Sequence, residues 1–249
     1  MLDLKNVKVI FNEKTSMEKI ALNDVSIHVN KGDFITILGG NGAGKSTFFN
    51  TITGSLEVSS GIISLDGQDI THQKEHVRSK YMGRLFQNPE HGTASHLSVE
   101  ENLALAYSRS RGLFSKAVRK DEVELFKEKL AMLDMGLETR LKVPIGLLSG
   151  GQRQAVALMM AVLNPPKVLL LDEHTAALDP KSAKKILTIT NQLILDHHIT
   201  ALMITHNIKD ALEYGNRLLI FKDGKIIQDF NQEEKSKLKT ADILEFYEV

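Results

Sequence analysis

The spacing of apolar and polar positions changes character along the chain. Leu4 to Phe11, Ala21 to Val29 and Phe34 to Leu38 are short runs that either alternate or are wholly apolar, which predicts strands. Ile62 to Leu65 followed by Asp66-Gly67 predicts a hairpin, so antiparallel β structure is expected to dominate the first part. From about Thr71 to Leu147 the spacing turns helical, including Ser98 to Tyr107, where Ser98 and Glu101 form a capping box ahead of LALAY. A further helix is predicted over Lys116 to Leu133. There Lys120, Asp121, Glu122, Glu124, Lys127, Glu128 and Lys129 make a solvated face around Val123, Leu125, Phe126, Leu130 and Leu133. Beyond Ser149 the chain reads as helix, buried strand Val168 to Leu171, helix Lys181 to Leu195, buried strand Thr200 to Thr205, and a short helix from Asn207. Such alternation predicts a parallel sheet flanked by helices. Leu218 to Gln228, around Asp223-Gly224, reads as a closing hairpin.

Composition narrows the function classes. A chain of 249 residues with 42% hydrophobic and 25% charged content can bury a full core without disulfides or metals. Lys plus Arg and Asp plus Glu are equal at 31 each, so no global basic field draws it to nucleic acid or to an anionic lipid surface. No nucleic-acid partner is expected. Cysteine is absent, which excludes disulfides and thiolate metal sites. The opening residues MLDLKNVKVIFNEKT carry acids and no apolar core of signal-peptide length. The longest apolar stretches, such as Ala155 to Leu163, fall short of the ~20 residues needed to cross a bilayer, so any membrane role is expected to come through a partner.

Three motifs carry chemistry. Gly39-Gly40-Asn41-Gly42-Ala43-Gly44-Lys45-Ser46-Thr47 fits GxxxxGKS, directly after the apolar run Phe34 to Leu38 and before the helical run Ser46 to Thr53. In that context backbone N–H groups converge on phosphate oxygens, and a helix N-terminus adds partial positive charge. Lys45 is placed to neutralise β and γ phosphates, and Ser46 to ligate the Mg²⁺ that bridges them. The second motif, Val168 to Glu173, is an apolar strand ending in two acids at the carboxyl edge of a sheet, where ligands of open α/β folds bind. Asp172 is expected to hold the Mg²⁺ shell and Glu173 to activate the attacking water. The third, Leu148-Ser149-Gly150-Gly151-Gln152-Arg153-Gln154, opens an apolar helix, and its serine and glycines make a second anion-binding helix N-terminus.

This third run resembles the LSGGQ signature of the ABC ATPases, and the order GxxxxGKS, LSGGQ, LLLDE, then Leu178-Asp179 is that family's arrangement. The resemblance covers nearly the whole chain. It implies an α/β fold: a P-loop NTPase core with a parallel sheet, an antiparallel β subdomain and a helical subdomain carrying the ABC signature. It also implies one domain over 1–249, with 1–87 and 163–249 as core and 88–162 as the helical part. The family's cofactors are ATP and Mg²⁺. Two anion sites on one chain imply a head-to-tail homodimer, each ATP lying between one copy's Gly39 to Thr47 loop and the other's Ser149, Gly150, Gly151 and Gln152.

Other positions match singly. Gln87 resembles the glutamine that touches Mg²⁺ and water and reports nucleotide state to the membrane partner. His206 resembles the histidine that bonds the γ-phosphate, Phe11 falls where an aromatic stacks on adenine, and Asp179 resembles an aspartate near the dimer interface. Gly40 and His174 stand where the family commonly has proline, which alters loop stiffness and no reacting group. Asp172 to Pro180 resembles a subgroup of bacterial importers that work with a substrate-binding lipoprotein, some for aromatic amino acids. The resemblance therefore implies an ATPase motor on membrane permease subunits, cytoplasmic and held peripherally on the inner face of the cell membrane. A soluble ABC ATPase acting on a protein scaffold, as in iron-sulfur-cluster assembly, and a subunit of a two-gene exporter remain as alternatives.

Overall fold

The computed structural model describes residues 1–107 and 119–248. Two sheets organise it. β1 (Leu2–Phe11) pairs antiparallel with β2 (Lys19–Val29) and with β4 (Ser60–Leu65), and the Asp66-Gly67 turn leads to β5 (Gln68–Asp69), giving the order β2-β1-β4-β5. The second sheet contains β3 (Phe34–Gly39), β6 (Met82–Leu85), β7 (Val168–Asp172), β8 (Thr200–Ile204), β9 (Arg217–Lys222) and β10 (Lys225–Phe230) in the order β10-β9-β3-β8-β7-β6. All its pairs are parallel except the β9-β10 hairpin, as crossover helices require. The α/β architecture follows the sequence.

The apolar runs of β7 and β8 have a simple origin. Val168 and Leu170 pack with α1 (Lys45–Thr53) and the antiparallel sheet, while Leu169 and Leu171 face the helical side. In β8, Leu202 and Ile204 take the first side, and Ala201 and Met203 the second. With a period of two and both faces covered, every position has to be apolar.

Four expectations are corrected. The stretch from Thr71 to Leu147 is not wholly helical: after a single turn, α2 (Glu75–Arg78), it contains β6. Met82, Gly83 and Leu85 are buried and Arg84 half-buried, so four residues paired to β7 leave no readable period. α3 (Val99–Tyr107) does begin with the Ser98/Glu101 box: the Ser98 N–H donates to Glu101 Oε2 at 2.8 Å. α4 (Lys120–Ala131) is shorter than predicted, and the proposed start at 116–118 lies outside the described residues. Its Phe126 and Leu130 are buried as expected, but Glu122 is not on a solvated face. It is buried and accepts the Arg119 N–H at 3.0 Å, because a third-position glutamate folds back to cap its own helix. Finally, the β9-β10 hairpin does not close the chain: α8 (Gln232–Lys237) and α9 (Thr240–Glu248) follow, with Ile243 packed on β9.

α5 (Gly150–Val162), α6 (Pro180–Asp196) and α7 (Ile208–Glu213) complete the elements. Among the described residues no helix is long and apolar enough to cross a membrane.

Candidate functional site

The carboxyl ends of β3, β7 and β8 and the first turn of α1 assemble the site. β3 stops at Gly39, where an added Cβ would sit 2.4 Å from the Phe221 carbonyl oxygen of β9, so only glycine permits that approach. Gly44 precedes α1 with φ at 102°, and a Cβ there would come within 2.6 Å of the Ala21 carbonyl oxygen. Gly40 carries neither restriction: its φ is not positive and a Cβ there would meet open space. The buried Lys45 turns its ammonium back onto the loop, donating to the carbonyls of Gly39 at 2.8 Å and Gly40 at 2.9 Å. Burial holds its pKa below the ordinary lysine range, opposed by the nearby carboxylates of Glu173 and Asp172.

Two cavities meet here. One, of about 200 Å³, is lined by the 41–47 loop, Phe11 and Glu173. The other, of about 420 Å³, is lined by Ser46, Gln87, Asp172 and Glu173. Ser46 and Glu173 belong to both, so the loop and the acids face a common space. Phe11 is paired with Lys19 across the β1-β2 ladder and is part-exposed on the first cavity, so a flat apolar ring is available there.

Glu173 leaves β7 with φ at 47°, a left-handed conformation that a non-glycine side chain holds at a cost. Its N–H donates to the Ile204 carbonyl at 3.0 Å, which docks it on the end of β8. Two residues further along that strand's exit, His206 Nε2 stands 2.5 Å from Glu173 Oε1. The contact needs a proton between the two atoms, so the ring donates or the carboxyl does. The next residue, His174, is buried, and its Nε2 lies 3.4 Å from Thr190 Oγ1 on α6. Burial pushes its pKa down to about 4, so it is neutral filling below the acid pair.

The 149–152 segment lines neither of these two cavities, nor the one that the loop shares with Phe221 and Phe246. Ser149 caps α5, its Oγ accepting the Gln152 N–H at 3.3 Å while Gln152 Oε1 accepts the Ser149 N–H at 3.3 Å. Both bonds are long enough to yield to a better acceptor. Gly151 packs against Ser182, so this segment sits beside the start of α6. Asp179 caps α6 by accepting the N–H groups of Lys181 and Ser182, and hydrogen bonding from the Ser182 side chain first, then from these N–H groups, holds its carboxyl below the usual range. α5 is also tied to the segment around Gln87: Arg153 Nη1 donates to Glu90 Oε1 at 2.8 Å and the buried Gln154 Nε2 to the Phe86 carbonyl at 3.2 Å.

Arg84 is the principal site residue that sequence reading missed. It donates to Asp172 Oδ2 at 2.8 Å and to Asn50 Oδ1 at 2.7 Å, with its guanidinium 4.7 Å from the centre of the Phe86 ring. A lone arginine in a four-residue strand gives no local signal. Lys19 and Ala21, which line the loop cavity, were equally unmarked.

The oxygen donors of Ser46, Gln87 and Asp172 suit a hard cation such as Mg²⁺. Among the described residues no group of three or more His, Cys, Asp or Glu side chains is gathered as a metal site.

Known proteins resemble this chain in sequence and in fold. The family model described as ABC transporter matches residues 22–176. The tyrosine transport ATP-binding protein of Clostridioides difficile (strain R20291) is 39% identical over 248 residues, covering 100% of this chain and 99% of the relative. The methionine import ATP-binding protein MetN of Streptococcus agalactiae serotype III (strain NEM316) is 36% identical over 236 residues, 92% of this chain, which spans 64% of that relative's length. A solved dimeric ATP-binding cassette in a post-hydrolysis state bound to ADP and Pi superposes with a TM-score of 0.78 at 29% identity, covering 93% of this chain and 99% of the other.

Proposed function

The chain belongs to the ABC transporter ATP-binding family and hydrolyses ATP, and from that premise we propose that it is the motor subunit of a bacterial importer for a small solute of the amino-acid kind. The names of the tyrosine-transport and methionine-import relatives support the cargo class and the direction. The subunit works as a homodimer on membrane permease subunits, on the inner face of the cell membrane, with a substrate-binding lipoprotein delivering the solute. A groove of about 270 Å³ that mixes apolar Phe86, Ala157 and Met160 with polar Glu75, Ser79 and Arg84 is suited to a permease's amphipathic cytoplasmic helix.

In this reading ATP lies along the 39–47 loop, with adenine against Phe11. Lys45 exchanges the Gly39 and Gly40 carbonyls for β and γ phosphate oxygens, a stronger partner for an ammonium. Ser46, Gln87 and Asp172 hold Mg²⁺, which supplies charge neutralisation at the phosphates. Glu173 accepts the proton of the attacking water. His206 fixes the Glu173 carboxylate from Nε2 and would donate to the γ-phosphate from the same strand exit. Ser149, Gly150, Gly151 and Gln152 cover the γ-phosphate bound to the partner copy, using the N–H groups at the start of α5, where Ser149 and Gln152 give up their mutual capping bonds. The observation that carries the reading is the shared boundary of the two cavities, where the loop serine, the strand-end acids and Gln87 converge.

Glu173→Gln is the test. General-base removal lowers turnover by ~10²–10⁴-fold, while Mg·ATP affinity stays within about threefold because no phosphate contact is lost. Cells carrying the variant should also lose uptake of radiolabelled tyrosine. Normal turnover in the variant refutes the base assignment; unchanged tyrosine and methionine uptake despite lost turnover refutes the cargo assignment.

A further inference from the structure

Asp172 is not left to orient itself. Its Oδ2 is held by Arg84 Nη2 at 2.8 Å, with both side chains largely buried, at 15% and 16% exposure. The guanidinium is in turn fixed at two more points: Nη1 donates to Asn50 Oδ1 at 2.7 Å, and its face rests on the Phe86 ring. Asn50 lies on α1, the helix that begins with Lys45, so Arg84 joins that helix to the end of β7. The tie engages Oδ2, so Oδ1 remains available to the cavity that Asp172 shares with Ser46 and Gln87. Charge is balanced as well: the carboxylates of Asp172 and Glu173 face the cations of Lys45 and Arg84.

We propose that Arg84 is a positioning residue for the metal site: it locks the Asp172 carboxylate in the rotamer that presents Oδ1 to the divalent cation. The inference rests on the reading of Asp172 as a metal ligand. Two effects of the guanidinium oppose each other. Its charge repels a nearby dication, but a cation already paired with a carboxylate presents little net field. Its hydrogen bond removes the rotational freedom of a ligand, and loss of such outer-shell partners commonly weakens metal binding by ~10–100-fold. Orientation therefore outweighs repulsion, and Arg84 favours the metal. Lysine replaces it only in part, since one ammonium can pair with Asp172 but lacks the planar fork that reaches Asn50 and Asp172 together while lying on Phe86.

The experiment titrates Mn²⁺, as a paramagnetic substitute for Mg²⁺, into ADP-saturated protein and reads free Mn²⁺ by electron paramagnetic resonance. ADP affinity in EDTA is measured in parallel, for the wild type and for Arg84→Met, Arg84→Lys, Asn50→Ala and Asp172→Asn. Arg84→Met should weaken Mn²⁺ by ~10-fold with metal-free ADP affinity unchanged, Arg84→Lys should recover part of the loss, and Asn50→Ala should give a smaller loss. Unchanged or tighter Mn²⁺ binding in Arg84→Met overturns the proposal. So does an equal loss of metal-free ADP affinity, which marks general damage. If Asp172→Asn itself leaves Mn²⁺ affinity unaltered, the metal-ligand reading falls and the inference with it; if only the Arg84 variants leave it unaltered, the inference alone falls.

Discussion

Replacing Lys45 with methionine isolates the contribution of one ammonium to nucleotide capture. In the free protein that ammonium is not idle: it donates to the carbonyls of Gly39 and Gly40 at 2.8 and 2.9 Å, and these bonds must be surrendered when phosphate arrives. The gain is therefore a difference. An ion pair at ~4 Å with an effective dielectric of ~20 is worth about 4 kcal/mol. From this the two surrendered ammonium-carbonyl bonds together subtract about 1.5–3 kcal/mol, because they too are charge-assisted. The remainder, about 1–2.5 kcal/mol, corresponds to a loss of roughly 5- to 70-fold in Mg·ATP affinity. Methionine keeps most of the buried volume, so packing against the loop changes little. Isothermal calorimetry with Mg·ATP at low temperature reads the constant directly. An affinity within threefold of wild type would refute the phosphate role of Lys45 and the exchange of partners on which the estimate rests.

Two stability predictions follow from buried polar groups near the site. His174 has its pKa pushed from 6.5 to about 4, so the folded state favours the neutral ring. Its contribution is complete above ~6.5 and lost as pH falls from there to ~4, amounting to about 2 kcal/mol between pH 7.5 and pH 5. Urea denaturation at both values should show a shallower pH dependence in His174→Asn by that amount, and parallel curves for the two proteins would contradict it. Arg78 is buried and donates to the carbonyls of Thr51, Ile52, Thr71 and Gln73 at 2.7 to 2.9 Å. Arg78→Met should cost about 4 kcal/mol, since charged hydrogen bonds contribute ~1.5–3 kcal/mol each and are not additive; a loss under ~1 kcal/mol by the same assay would show that solvent reaches those carbonyls.

What the sequence disclosed and what it withheld divide along the range of the interactions. The β3-loop-α1 unit was legible because GxxxxGKS dictates its own backbone. β7 and β8 were legible because burial on two faces forces unbroken apolar runs. Gln87, Asp172, Glu173 and Ser46 were named one at a time, and the structure gathers them on one cavity. The Glu173–His206 contact could not be read beforehand, since it depends on the register that sets Asp172 opposite Ile204. Arg84 was invisible for a stronger reason: Asn50 and Asp172 are 34 and 88 residues away in sequence, and no periodic signal reports such a bridge. Glu122 shows the converse error, a charge assigned to water on spacing alone that instead folds onto its own helix end.

The double-sided burial of β7 and β8 has a bearing on how the molecule tolerates change. Each of these strands is a party wall between two separately packed rooms, Leu169 and Leu171 facing one, Val168 and Leu170 the other. A substitution that suits one room disturbs its neighbour, so adaptation to new transport partners is steered away from the wall and into the turns at its rim. The reacting groups are mounted on a part that drift in sequence can scarcely reposition.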